Sequence, residues 1–202
     1  MRTADQTVPS ASFTAPPVST TNSHELALVS TDGPRTGGQS IDGVSGGGLA
    51  FTRVTRANTA WGDAEIWQAN ATAPLDNAVI TASLHDTGYT GSITIMTLTG
   101  AAPTVGATAA AGANTGAPGA TVTTTGAGSI VVGVGHDWSQ AAIATPVTGQ
   151  VLDNLFLDKL IHDSSWVQQT GPIAARGSLV SIADTTPTAD RWNLAVAEIT
   201  AG

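Results

Sequence analysis

Apolar and polar residues alternate with a period near two through residues 49–56, 64–70, 78–84, 92–98, 129–134, 179–183 and 192–199. Side chains point to opposite faces along a strand, so this rhythm marks strands buried on one face. Stretches rich in Gly, Thr and Ala separate these segments, and helical periodicity is nearly absent. The pattern predicts an all-β, antiparallel two-sheet β-sandwich of jelly-roll type with about 10–12 strands.

Length permits a substantial core. A chain of 202 residues can form one large β domain that buries about 70% of its unfolded surface. The core must be built from small residues, because the chain holds only five Trp, three Phe and one Tyr. Charged residues make up 11%, so Thr, Ser, Asn and Gly must cover much of the surface.

The formal net charge of −8 and only seven Lys and Arg argue against a nucleic-acid partner. The nearest basic pair, Arg53 and Arg56, offers no cluster for phosphates, and an anionic membrane surface is disfavoured equally. Zero cysteines exclude disulfides and thiolate metal sites. No apolar h-region follows Met1 and no run of 18 apolar residues occurs, so neither a signal peptide nor a transmembrane helix is expected.

Along the chain, residues 1–23 hold Pro9, Pro16 and Pro17 and read as an extended N-terminal arm, with 10–15 as a short edge strand. Residues 24–202 read as a single β-sandwich domain. Residues 31–48 form a Gly-rich connection around the apolar patch 41–44, and Asp86-Thr-Gly88 suits a turn between two strands. The Ala-, Gly- and Thr-rich stretch 100–119 has linker composition. It is expected to be a long loop within one domain, because a division there would leave strand edges open. Residues 150–161 fit a helical stripe about as well as a strand.

Several motifs occur in a familiar order: Gly62-Asp-Ala-Glu-Ile-Trp67, Gly116-Ala-Pro118, Gly133-Val-Gly-His-Asp-Trp138, Ser165-Trp-Val-Gln168 and Asp190-Arg-Trp-Asn-Leu-Ala-Val-Ala-Glu-Ile199. Together they resemble a jelly-roll-like module of secreted multidomain proteins from soil bacteria. A looser likeness extends to minor tail or surface proteins of bacteriophages. The resemblance runs from Phe13 to Ile199 and rests on structural rather than catalytic motifs. It implies a non-enzymatic binding or assembly role. One departure is the start: such modules usually follow a signal peptide or another domain, and this chain opens on its own Met.

Candidate ligand-binding residues are Trp61, Tyr89, His136, Asp137 and Trp138. Indole faces stack on sugars, and Trp61 and Trp138 fall in or beside loops, where functional residues concentrate. Trp67, Trp166 and Trp192 lie within strand patterns and read as core. His136 and Asp137 are adjacent on a strand end, so their side chains are expected to diverge. His24, His85 and His162 show no zinc-ligand spacing. Asp32 and Asp42 flank the first Gly-rich connection, and Asp153, Asp158 and Asp163 recur every five residues. None of these runs is an EF-hand loop, and solvated charge is the expected reading. Glu25, Glu65 and Glu198 are strand-embedded and nominate no glycosidase pair. No Gly-x-Ser-x-Gly elbow appears. No catalytic residue, cofactor or metal is therefore expected.

These observations lead to one expectation: a non-catalytic structural and adhesive subunit of a multi-subunit surface assembly, with a bacteriophage capsid decoration or minor tail protein as its setting. Its partners are other protein subunits, and oligomers are expected. The alternative is a carbohydrate-binding module, with a polysaccharide as ligand. Either would place the chain on a virion or an extracellular surface.

Overall fold

The computed structural model describes residues 1–202 throughout. It is all β, with no helix, and its eighteen strands pair only antiparallel, in five sheets. The first half contains β1 (Arg2–Ser10), β2 (Ser12–Thr14), β3 (Val18–Thr20), β4 (Ser23–Thr31), β5 (Ile41–Gly46), β6 (Thr52–Ala57), β7 (Asp63–Ala71), β8 (Leu75–Ala78), β9 (Ile80–Leu84) and β10 (Tyr89–Leu98). The second contains β11 (Thr108–Ala113), β12 (Gly119–Thr123), β13 (Ile130–Asp137), β14 (Thr145–Pro146), β15 (Gln150–Asp158), β16 (Asp163–Thr170), β17 (Leu179–Thr186) and β18 (Trp192–Ile199).

One strand order occurs twice. The first half builds a five-stranded sheet, β1-β10-β4-β7-β6, beside a three-stranded sheet, β2-β9-β5. The second builds β11-β18-β13-β16-β15 beside β12-β17-β14, which is the same order. The first half adds only a small pair, β3-β8. In each half the first strand pairs the last, the second pairs the next to last, and two central strands pair between them.

Three apolar layers separate four sheets. Within the first half, Phe13, Ile41, Ile80 and Leu84 meet Val29, Trp67, Ile93 and Ile95. Within the second, Val122 and Ile182 meet Val131, Trp166, Leu194 and Val196. Between the halves the two five-stranded sheets pack directly: Leu26, Leu28, Ile66 and Met96 face Val132, Val134, Val167, Ala195 and Ala197. The central strands β4 and β18 are consequently buried along their whole length, on both faces.

This architecture corrects several expectations. There are eighteen strands rather than 10–12, and two sandwiches back to back rather than one. Residues 1–23, expected as an extended arm beside the sandwich, contribute strands to its sheets: β1 pairs β10, β2 pairs β9 and β3 pairs β8. The stretch 100–119 is the junction between the repeated halves and also contains β11. Each half completes its own two sheets, and strands such as β1 and β15 still end theirs unpaired. Residues 150–158 form β15, an edge strand of half-buried side chains, and not a helix.

Close packing requires the glycine at position 135. Gly135 in β13 lies beneath the Trp166 indole, and a Cβ at that position would overlap the ring. Gly43 in β5 has open space around it. Gly135→Ala is expected to lower stability by about 1–3 kcal/mol, the usual cost of overpacking. Gly43→Ala should stay within about 0.5 kcal/mol of the parent. Urea denaturation midpoints compare the two.

Candidate functional site

The strand ends at one end of the inter-half contact carry most of the polar residues singled out above. Trp61 enters from the loop before β7, and Trp138 follows β13. Their rings meet edge to face, with centroids 4.5 Å apart and planes at 81°. The Arg191 guanidinium lies 3.5 Å above the Trp61 ring, and that of Arg35 lies 5.1 Å from the Trp138 ring. Such cation–π contacts contribute roughly 0.5–2 kcal/mol each. Trp61 and Arg35 come from the first half, Trp138 and Arg191 from the second, so the stack closes the junction. One arginine thus lies over each indole.

Beneath the stack, Asn193 of β18 is fully buried and reaches across to the first half. Its Nδ2 donates to the carbonyls of Ala60, Trp61 and Gly62 at 3.0–3.3 Å, while its Oδ1 accepts from Ala60 N–H at 3.0 Å. Ser30 Oγ also bonds Ser165 Oγ across the interface. These bonds fix the loop that presents Trp61.

His136 lies under that loop with no exposed surface. Gly62, at φ 79°, makes room for it, because a Cβ there would overlap the imidazole. Neither ring nitrogen has a hydrogen-bond partner, and burial holds its pKa down at about 3. Its Nε2 stands 3.9 Å from Asp163 Oδ2. Asp163 is buried, and its carboxyl is pushed up to about 8, first by burial and then by the charges of Asp32, Asp158 and Asp137. Asp32, half-buried on the loop after β4, is raised by burial, against hydrogen bonds from Gly33 and Trp138. One ligand atom each from Asp32, His136 and Asp163 lies within 4.8 Å of the others.

Asp137 turns away from His136. Its Oδ1 accepts from Ser139 N–H at 2.7 Å, and burial, aided by Asp190, lifts its pKa to about 7. Tyr89 is half-buried against the outer core of the first half. Its hydroxyl is raised by burial and by the nearby Asp32 and Asp86. The structure therefore gathers Trp61, His136 and Trp138 at one junction, directs Asp137 to its other side and places Tyr89 near Asp32. Asp32, Asp158, Asp163 and Asn193 were not picked out by sequence reasoning as members of a site. Asp158 and Asp163 face each other on the β15–β16 hairpin, while Asp32 and Asn193 come from distant segments that no local spacing links to it.

Elsewhere, Trp67, Trp166 and Trp192 are buried in the two outer cores. Each buried glutamate accepts hydrogen bonds from several neighbouring groups. Glu25 accepts from Ser23 and Thr97 hydroxyls, while Glu65 accepts from Ile41 N–H, Trp67 Nε1 and Arg56. Glu198 takes hydrogen bonds from Ala107, Thr125, Gly126 and Ser129, tying the junction strand and a turn to β18. Burial works to raise its pKa, but those donors outweigh it and hold the carboxyl at about 2.

No family model, curated protein or solved structure matches the chain.

Asn193→Ala should cost about 2–3 kcal/mol, because it strands a buried N–H and three carbonyls. Tryptophan emission, shifted to the red by release of the Trp61 loop, provides a second reading. Glu198→Gln should cost about 2 kcal/mol at neutral pH, since a neutral amide presents an NH2 to five donors. Glu198 has a depressed folded pKa, so its contribution is fully present above the unfolded value of 4.5 and fades as pH falls toward about 2. The gap between parent and variant in thermal midpoint should therefore close over that acid range.

Proposed function

We propose that the protein is a non-catalytic structural and adhesive subunit of a multi-subunit surface assembly, with a bacteriophage capsid decoration or minor tail protein as the setting. The observation that carries this reading is a pair of adjacent free edges. β1 ends one five-stranded sheet and β15 ends the other, and Asn154 Nδ2 of β15 donates to Asp5 Oδ1 of β1 at 3.2 Å. Unpaired strand edges are templates for another chain, and strand addition is a recurrent mode of subunit contact. Val8 on β1 and Val151 on β15 are 64% and 57% exposed. The hairpin tip after β15 carries Leu160, 81% exposed.

The strand pairing also supports reading each half as a jelly-roll variant. A rolled-up hairpin of eight strands pairs first with last, second with seventh, third with sixth and fourth with fifth. Each half has the first three pairings; its fifth strand instead lies beside the sixth.

A second reading, a carbohydrate-binding module, draws on the meeting of Trp61 and Trp138 with polar residues at one end of the molecule. The arginines over both rings favour it less. Polysaccharide pull-down with the parent chain and with Trp61→Ala and Trp138→Ala decides it, as loss of a parent signal in the variants would support sugar binding.

On the assembly reading, sedimentation velocity of the full chain should show concentration-dependent oligomers, or the chain should co-purify with capsid or tail proteins. Val8→Lys combined with Val151→Lys should suppress that association with little change in thermal midpoint. A parent chain that stays monomeric at the highest attainable concentration and joins no particle overturns the assembly role.

A further inference from the structure

We propose that Asp32, His136 and Asp163 bind one divalent transition-metal ion, with zinc as the preferred ion, and that this ion fastens the two halves together. Asp32 belongs to the first half; His136 and Asp163 belong to the second. The inference goes beyond the assembly role and does not depend on it.

The first argument is geometric. The three ligand atoms already lie within 4.8 Å of one another, with His136 Nε2 and Asp163 Oδ2 3.9 Å apart. Zinc bonds of about 2.0–2.2 Å space tetrahedral donors roughly 3.3–3.6 Å apart, so rotamer-scale closure completes the site. Asp32 sits half-exposed on a loop and gives an ion a way in.

The second argument is hydrogen-bond accounting. His136 is fully buried, yet neither of its nitrogens has a partner. Asp163 Oδ2 is also buried and unpartnered, as is Oδ2 of Asp158, which faces Asp163 across the β15–β16 ladder. Buried polar atoms in folded proteins are nearly always satisfied. A metal ion at the triad would take a lone pair from the imidazole and from each carboxyl at once, which answers the buried atoms that no side chain or backbone group reaches.

The donor set selects the metal. Calcium seeks six to eight oxygens, whereas one imidazole and two carboxylates suit zinc and its neighbours in the first transition row. Three protein ligands leave a fourth position for water or for Asp158. Ligands drawn from both halves make the ion a staple, comparable in effect to the Asn193 bridge beside it.

The test uses the full chain, stripped with a chelator and titrated separately with ZnCl2, MnCl2 and CaCl2 in a calorimeter, with thermal melts alongside. The expected result is one zinc per chain and a raised thermal midpoint, with manganese weaker and calcium weaker still. Asp32→Asn and Asp163→Asn should each weaken zinc binding by about 10–100-fold or more. Asp32 is half-exposed, so Asp32→Asn should keep the parent's melting midpoint in chelator and decides the matter if Asp163→Asn does not fold. His85→Ala, which removes the exposed His85–Asp42 pair, should bind zinc as the parent does. Absence of saturable zinc binding, unchanged affinity in Asp32→Asn, loss of binding in His85→Ala or a preference for calcium would each overturn the site.

Discussion

Leu26, Leu28, Ile66 and Met96 on one five-stranded sheet press against Val132, Val134, Val167, Ala195 and Ala197 on the other, and most other features depend on that contact. A sheet in a simple sandwich keeps one face wet. Here each central sheet already has an outer three-stranded partner, so the inter-half contact dries its second face as well. Each large aliphatic side chain so buried contributes about 1.5–3 kcal/mol. The small residues of the second half, chiefly Ala195 and Ala197, let the sheets approach closely. Shape also explains Gly135, which yields its side-chain volume to Trp166 on the opposite face of the same sheet.

Drying both faces creates a problem wherever a central strand ends. Loops must leave the sheets there, and their backbone groups lie within the buried layer. Asn193 answers for three carbonyls and one N–H of the loop 60–62. The stack of Arg191, Trp61, Trp138 and Arg35 caps the same end with groups that are apolar in the middle and charged at the rim. At the other end, Asn70 donates to Pro103 O at 2.7 Å, and Gln68 Oε1 accepts from Val105 N–H at 3.1 Å, which docks the junction on the first half. The halves are thus joined by apolar area in the middle and by directed hydrogen bonds at both ends.

Much of the strand content was legible because β7, β10, β13 and β18 carry branched and large apolar residues at alternate positions. The strands missed by sequence reasoning have no such contrast. β11 reads Thr-Ala-Ala-Ala-Gly-Ala, where inward and outward residues are nearly the same size. β1 is a polar edge strand, and β14 has two residues. The doubling was hidden for a related reason: strand order repeats while side chains at matching positions differ. Of the junction residues, Trp61, His136, Asp137 and Trp138 could be found because they are unusual types beside strand ends. Asp32 and Asp163 could not, since carboxylates in loops are ordinarily solvated and only tertiary packing brings these two to one imidazole.

Matching the halves on Trp67 and Trp166, which both face outer cores, shows what the second half has changed. Trp67 lies opposite Ala27, and Trp166 opposite Gly135. The next position along each ladder toward the junction is then Leu28 in the first half and His136 in the second. Leu28 is flanked by Ile66 and Thr94, while His136 is flanked by Ser165 and Asn193. A slot that is mostly apolar in one repeat is wholly polar in the other, within the same dry layer. Ser165 is answered by Ser30, and Asn193 by the loop 60–62. His136 alone is left without a partner, and Asp32 and Asp163 are the groups within reach of it. An apolar residue there would fill the space at lower cost, as Leu28 does in the first half. Keeping an imidazole in that place is therefore consistent with a ligand shared between the halves.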